Sequence, residues 1–212
     1  DIEALFSVGH ILFFNEEVKD IKEAIDWFEK TSSRNIGGSL LSNHLRELYY
    51  QGRANVILGI LYNEGKLVPV NYKTACLHFF EASVDNFDTE GFWRWADMCH
   101  NQRCTGFIPN RIENKNKWQE HNAHLFYLLS AIAGNYSGQM RYGQFIYDKF
   151  NNSYHAYIWY CLASANSGIE SDEKENPDFQ GFKEKLVNLR NALEERLTPE
   201  AIEKAQEAVA KF

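Results

Sequence analysis

One helical face, written four times, restricts this chain more than any other feature. Small residues at i, i+7 and i+8 flank large rings at i+3 and i+4. The face reads Ala24, Trp27, Phe28, Thr31, Ser32, then Ala75, His78, Phe79, Ala82, Ser83. It returns as Ala123, Phe126, Tyr127, Ser130, Ala131 and as Ala156, Trp159, Tyr160, Ala163, Ser164. That spacing is one side of an α-helix. Alternating small and large residues lets neighbouring helices approach closely and interdigitate.

A second face precedes each of these helices. It reads Ala4, Val8, Gly9, Leu12, Asn15, then Ala54, Leu58, Gly59, Tyr62, Gly65. The third copy, Gly91, Trp95, Ala96, Cys99, is weaker, and the fourth is Gly138, Tyr142, Gly143, Ile146. A glycine inside a helix costs about 1 kcal/mol relative to alanine. Its return at Gly9, Gly59 and Gly143 therefore predicts a close crossing by the paired helix. Gly65 stands where a C-terminal cap ends the first helix. Each unit is then helix A, a loop and helix B. One such pair cannot bury its faces alone, whereas stacked pairs can.

The sequence around these faces resembles the Sel-one-like repeat (SLR) family, a relative of the tetratricopeptide repeat. Asp20-Ile21-Lys22-Glu23-Ala24-Ile25-Asp26-Trp27-Phe28-Glu29-Lys30-Thr31-Ser32 follows the second half of the family unit, and Leu58-Gly59-Ile60-Leu61-Tyr62-Asn63-Glu64-Gly65 follows the first half. Arg196 to Gln206 is similar to a closing helix of bacterial members, with Thr198 as N-cap, Pro199 in the first turn and Glu200 against the helix dipole. Unit three matches poorly, Leu67 replaces the consensus loop glycine, and Asn71 and Asn152 replace the aspartate before helix B. The fold class expected is all-α: a right-handed α-α superhelix of about four helix-turn-helix repeats with C-terminal capping helices.

The expected organisation is one repeat domain. Repeat 1 covers 1–34, an inserted helix 39–52, repeat 2 54–88, and repeat 3 91–133 with a long loop at 100–119. Repeat 4 covers 136–168, and capping helices fill 178–212. Gly37-Gly38 breaks the chain before the insertion, and Glu170 to Asp178 reads as a charged linker. A connection as long as 100–119 is uncommon and often functional.

Composition narrows the partners. The formal net charge is −7, so a phosphate backbone and an anionic membrane surface are poor matches. No run approaches the roughly 18 apolar residues of a membrane span. The expected partner is another protein, the expected state a monomer, and the expected compartment the bacterial cytoplasm or periplasm. A basic target would be steered in by the acidic charge, as with an immunity protein that neutralises a toxin. The alternative is a cell-envelope or secretion scaffold.

The resemblance implies that helix A lines a concave surface. Positions turned away from the paired helix would then meet the partner: Phe6, His10 and Phe14 in unit one, and Val56, Ile57 and Ile60 in unit two. Unit three adds Trp93, Arg94 and Asp97, and unit four adds Met140, Arg141 and Gln144. Aromatics, Met and Arg are interface residue types. The competing reading is that curvature buries them among the array's own helices.

Catalytic signatures are missing. There is no G-x-S-x-G elbow, phosphate loop or dinucleotide fingerprint, so no enzyme and no cofactor is expected. Cys99, His100, Cys104, His121 and His124 cluster in sequence, which makes a zinc-dependent enzyme at the 99–124 loop the lesser alternative, but their spacing fits no standard zinc finger. Structural thiols and ordinary histidines are the expectation, as is a packed His78.

Overall fold

The computed structural model describes residues 1–34, 41–166, 169 and 181–212. Among the described residues there are ten α-helices and no strand. The chain forms two compact units, Asp1–Ala123 and His124–Phe212.

The first unit begins with α1 (Ile2–Phe14) and α2 (Ile21–Ser32), then α3 (Leu41–Glu64) and α4 (Tyr72–Phe80). A π-helical turn, Glu81–Asp85, extends α4; α5 (Thr89–His100), a 3-10 turn (Thr105–Phe107) and the start of α6 (Lys115–Ile132) follow. Four of these helices start where a side chain satisfies an orphan backbone N–H. Asp1, Asp20, Asn71 and Asp88 cap α1, α2, α4 and α5 in this way. Gly65 has φ +69 just past α3, the left-handed conformation expected of a helix stop.

The repeated faces form the core. Ala24, Phe28, Ala54, Leu58 and Leu61 pack together, with Phe6, Leu12 and Phe13 against them. Glycines mark close crossings. A β-carbon on Gly59 would lie 2.4 Å from Phe79 Cε1. The equivalent distances are 3.0 Å from Gly9 to Phe28 and, in the second unit, 2.8 Å from Gly143 to Tyr160. Ala4 and Val8 occupy the frame positions of Ala54 and Leu58, yet they are exposed.

Two connections differ from the sequence expectation. The segment 39–52, read as a separate inserted helix, is continuous with the first helix of repeat 2 from Leu41 onward. Gly52 does not break it. Asn86 and Asp88 approach to 3.1 Å from where its β-carbon would sit, so the glycine is a contact point. The loop expected at 100–119 is shorter, because α5 runs to His100 and α6 begins at Lys115. It is also packed: Phe107 lies against Trp95 and Phe80 at 5.4 and 6.2 Å. Gly37-Gly38 and the linker at 170–178 lie outside the described residues.

The second unit contains the end of α6, α7 (Tyr136–Phe150), α8 (Ser153–Ser164), α9 (Phe182–Glu194) and α10 (Pro199–Val209). Helix α8 is its centre, packed by α7, α9 and α10. Its core joins Tyr136, Met140, Tyr157, Tyr160, Leu186, Leu193 and Ala205. Asn151 ends α7 at φ 49, and Thr198 caps α10 through Ala201 N with Pro199 in the first turn.

Candidate functional site

In the first unit the A helices α1, α3 and α5 lie side by side and are tied by charge. Arg46 pairs with Glu3, and Tyr50 Oη donates to Glu3 Oε1 at 2.8 Å, which links α1 to α3. Arg53 Nη1 lies 2.8 Å from Glu90 Oε2 and 3.6 Å from Asp88 Oδ2, which links α3 to α5. Arg94 completes the cluster at 2.7 Å from Glu90. Burial would raise the Glu90 carboxyl, but Arg94 and Arg53 outweigh it and hold it below the usual range. Burial would lower the Arg53 guanidinium, but Glu90 and Asp88 push it above its ordinary value. At Asp88 burial wins, and its carboxyl rises despite Arg53.

Above these links runs a chain of aromatic contacts. Phe14 meets His10 at 4.5 Å, His10 meets Phe6 at 5.9 Å, Phe6 meets Tyr50 at 5.5 Å, and Tyr50 meets Tyr49 at 5.3 Å. Both ends are open to solvent, with Phe14 56 % and Tyr49 59 % exposed. Burial and then Arg53 lower the pKa of His10, so this imidazole is neutral near pH 7 and adds no cation to the face. Rings exposed in a connected run, beside an arginine, have the composition of an interface core.

The sequence-derived site residues divide. Phe6, His10 and Phe14 form this run. Ile60, Arg94, Asp97, Arg141 and Gln144 are half-buried. Val56, Ile57, Trp93 and Met140 are corrections: all four are buried, at 0, 9, 5 and 6 % exposure, and cannot touch a partner in the folded chain. A helix inside a stacked array is covered by its own hairpin partner and by neighbouring hairpins, so residues turned from one are buried by another. Ile57 packs with Ala24 and Phe28, and Met140 with Tyr157 and Tyr160. Sequence reasoning missed Tyr49, Tyr50 and Arg53. Continuing the helix-A spacing back across Gly52 would have found them.

The opposite face of α3 floors a groove between α2 and α4. It has a volume of about 730 Å³. One wall carries Asp26, Glu29, Lys30 and Ser33, the other His78, Glu81 and Asp85, and the floor Gln51 and Asn55. The floor is a one-way hydrogen-bond chain. His78 Nδ1 lies 2.9 Å from Asn55 Oδ1, Asn55 Nδ2 donates to Asn86 Oδ1 at 3.1 Å, and Asn86 Nδ2 donates to Gln51 Oε1 at 3.3 Å. Gln51 Nε2 anchors the chain on the carbonyls of Arg34 and Ser32, at 2.6 and 3.4 Å. Burial depresses His78 to about 4, so it is neutral near pH 7; its ring stacks on Tyr62 at 6.0 Å. Burial and the nearby Asp85 push the Glu81 carboxyl up.

The cysteines and histidines of unit three do not assemble as ligands. Cys76, Cys99 and Cys104 are buried free thiols. Burial, and hydrogen bonds with Cys76 and Cys99, push the Cys104 thiol up and keep it protonated. His100 and His121 are exposed, and His124 Nε2 lies 3.0 Å from Tyr142 Oη. Among the described residues no group of three or more His, Cys, Asp or Glu is placed to hold a metal ion. No helix among them is long and apolar enough to cross a membrane.

No family model matches this chain, and no curated protein matches it. Solved structures do. One is a protective antigen present in uropathogenic Escherichia coli strains, displaying an SLR fold, with TM-score 0.58 and 16 % identity. The match covers 100 % of this chain and 45 % of that one, so this chain spans less than half the antigen's length. Another is a Sel1 repeat protein from Oxalobacter formigenes, with TM-score 0.46, 15 % identity, and coverage of 90 % of this chain and 85 % of that one. The fold class read from the sequence, an all-α superhelix of Sel-one-like repeats, is that of the antigen.

Proposed function

Because the chain has a Sel-one-like repeat fold, we propose that it is a non-enzymatic module that binds a protein partner on the A-helix face of its first unit. The observation that carries this is the aromatic run from Phe14 through His10, Phe6 and Tyr50 to Tyr49, solvent-exposed at both ends. Exposed rings held in fixed register lose little conformational freedom on binding. They sit on a frame already stiffened by Glu3, Arg53 and Glu90, so the surface is preorganised. Arg53, Arg94 and the acidic groups around them can then set the register of polar contacts at the rim.

The narrower reading is a dedicated inhibitor of one basic bacterial protein, in the manner of an immunity protein. The net charge of −7 supports it by raising the encounter rate with a cationic target. The test is affinity capture from the native lysate with the wild-type chain and with Phe14→Ser/Tyr49→Ser. Both residues are exposed, so the helical circular dichroism should be unchanged. A single basic protein retained by the wild type and absent from the double variant is the expected result. Equal capture by both would move the site elsewhere. Many unrelated captured chains would leave a scaffold as the better reading.

A further inference from the structure

We propose that the groove between α2 and α4 is a second binding site, which takes an extended protein segment bearing lysine or arginine. Its volume of about 730 Å³ lies within the usual range for ligand clefts, roughly 300–1,000 Å³. It is separate from the aromatic face. On α3, Gln51 and Asn55 stand half a helical turn from Tyr49 and Arg53, at 100° per residue.

The floor matches a peptide backbone. Gln51 and Asn55 are 6 and 3 % exposed, so they are built into the fold rather than solvated. A primary amide has two N–H donors and an oxygen with two lone pairs. In the chain described above, Gln51 spends both donors on the Ser32 and Arg34 carbonyls and acts as the anchor. Asn55 and Asn86 each spend one donor and one lone pair on the chain. Each keeps one of both, and those of the half-buried Asn86 are open to a visitor. A peptide strand presents alternating C=O and N–H groups along its edge, and it fits that pairing. Neutral His78 fixes the orientation of Asn55 and so of every amide after it.

The walls select the side chains. Asp26, Glu29, Glu81 and Asp85 line the groove with Lys30 as the cation among them. The Lys30 ammonium leans over the Trp27 ring at 4.4 Å. Glu29 is taken up by a hydrogen bond from Tyr62. Glu81 and Asp85, one turn apart on the π-helical segment, repel each other and gain from a guest cation. Leu77, 42 % exposed at the lip, offers an apolar strip to the methylene stem of a lysine or arginine. Phosphate-bearing guests are refused by the same carboxylates. A free polyamine satisfies the walls but has no backbone C=O or N–H to pair along the amide floor.

Random peptides displayed on phage, selected against the wild-type chain and counter-screened on Asp26→Asn/Glu81→Gln/Asp85→Asn, provide the test. The three changes are isosteric and the side chains line a surface groove, so helical content should persist. Selected clones should be rich in lysine and arginine. Their synthetic peptides should bind the triple variant about tenfold more weakly, from the summed loss of exposed ion pairs. They should bind Phe14→Ser/Tyr49→Ser as tightly as wild type, which separates this site from the aromatic face. In NMR spectra the Asn55 and Asn86 side-chain amide signals should shift with the peptide and not with spermidine. No enrichment of basic peptides, equal binding to the triple variant, or the same amide shifts with spermidine would overturn the proposal.

Discussion

Replacing Gly59 by alanine tests the close crossing of α3 and α4. Helix propensity alone favours the change by about 1 kcal/mol. The space argues the other way. The new β-carbon would meet Phe79 Cε1, Cδ1 and Cζ at 2.4, 2.6 and 2.9 Å. Carbon atoms sit well at about 3.5–4.0 Å, so the ring must retreat by about 1 Å. Phe79 is 1 % exposed and has nowhere to go without moving α4. Overpacking of this kind costs about 1–3 kcal/mol, which leaves a net loss of up to about 2 kcal/mol. The related sites scale with distance. Gly143 would meet Tyr160 at 2.8 Å, and Gly9 would meet Phe28 at 3.0 Å. The order of destabilisation is therefore Gly59→Ala, then Gly143→Ala, with Gly9→Ala near neutral. Urea unfolding followed by far-ultraviolet circular dichroism reads the order. Adding Phe79→Leu to Gly59→Ala should recover about 1 kcal/mol as a favourable coupling. Stabilisation by Gly59→Ala, or Gly9→Ala as the worst of the three, would refute close crossing as the reason these glycines recur.

Two further predictions concern titration and capping. His78 has an ordinary value of 6.5, lowered by burial to about 4 in the fold. Its neutral form is the folded form, so its contribution is full above 6.5 and is lost as pH falls from there toward 4. The wild type should lose about 2 kcal/mol more than His78→Gln between pH 7 and pH 5 in unfolding experiments; equal losses would show that the imidazole is not buried neutral. Thr198 Oγ1 accepts from Ala201 N at 3.3 Å, so Thr198→Ala should cost about 1 kcal/mol and speed hydrogen exchange at the start of α10.

The packed faces were legible because period and residue size together define them. Ala24, Phe28, Ala75, Phe79, Ala156 and Tyr160 all stand where the pattern put them, in the core. Even the weak third unit buries Gly91, Trp95, Ala96 and Cys99. The Thr198-Pro199 start of the last helix was equally plain, since capping is local chemistry. The proposed binding face was half legible. Periodicity says which residues share a side of a helix, but not how many sides are covered, so Val56, Ile57, Trp93 and Met140 were read as surface. Tyr49 and Tyr50 were missed because the segment 39–52 was read as a separate inserted helix, whereas from Leu41 onward it is the start of α3. The groove left no trace, since its floor joins residues as distant as Ser32 and Asn86 through side-chain amides.

The most direct measurement of the account is the affinity of the captured partner for the wild-type chain and for Phe14→Ser/Tyr49→Ser, taken by calorimetry on purified proteins. Two exposed aromatic anchors are removed, so binding should weaken by about a hundredfold while the melting temperature stays the same. An unchanged affinity would contradict the assignment of that face.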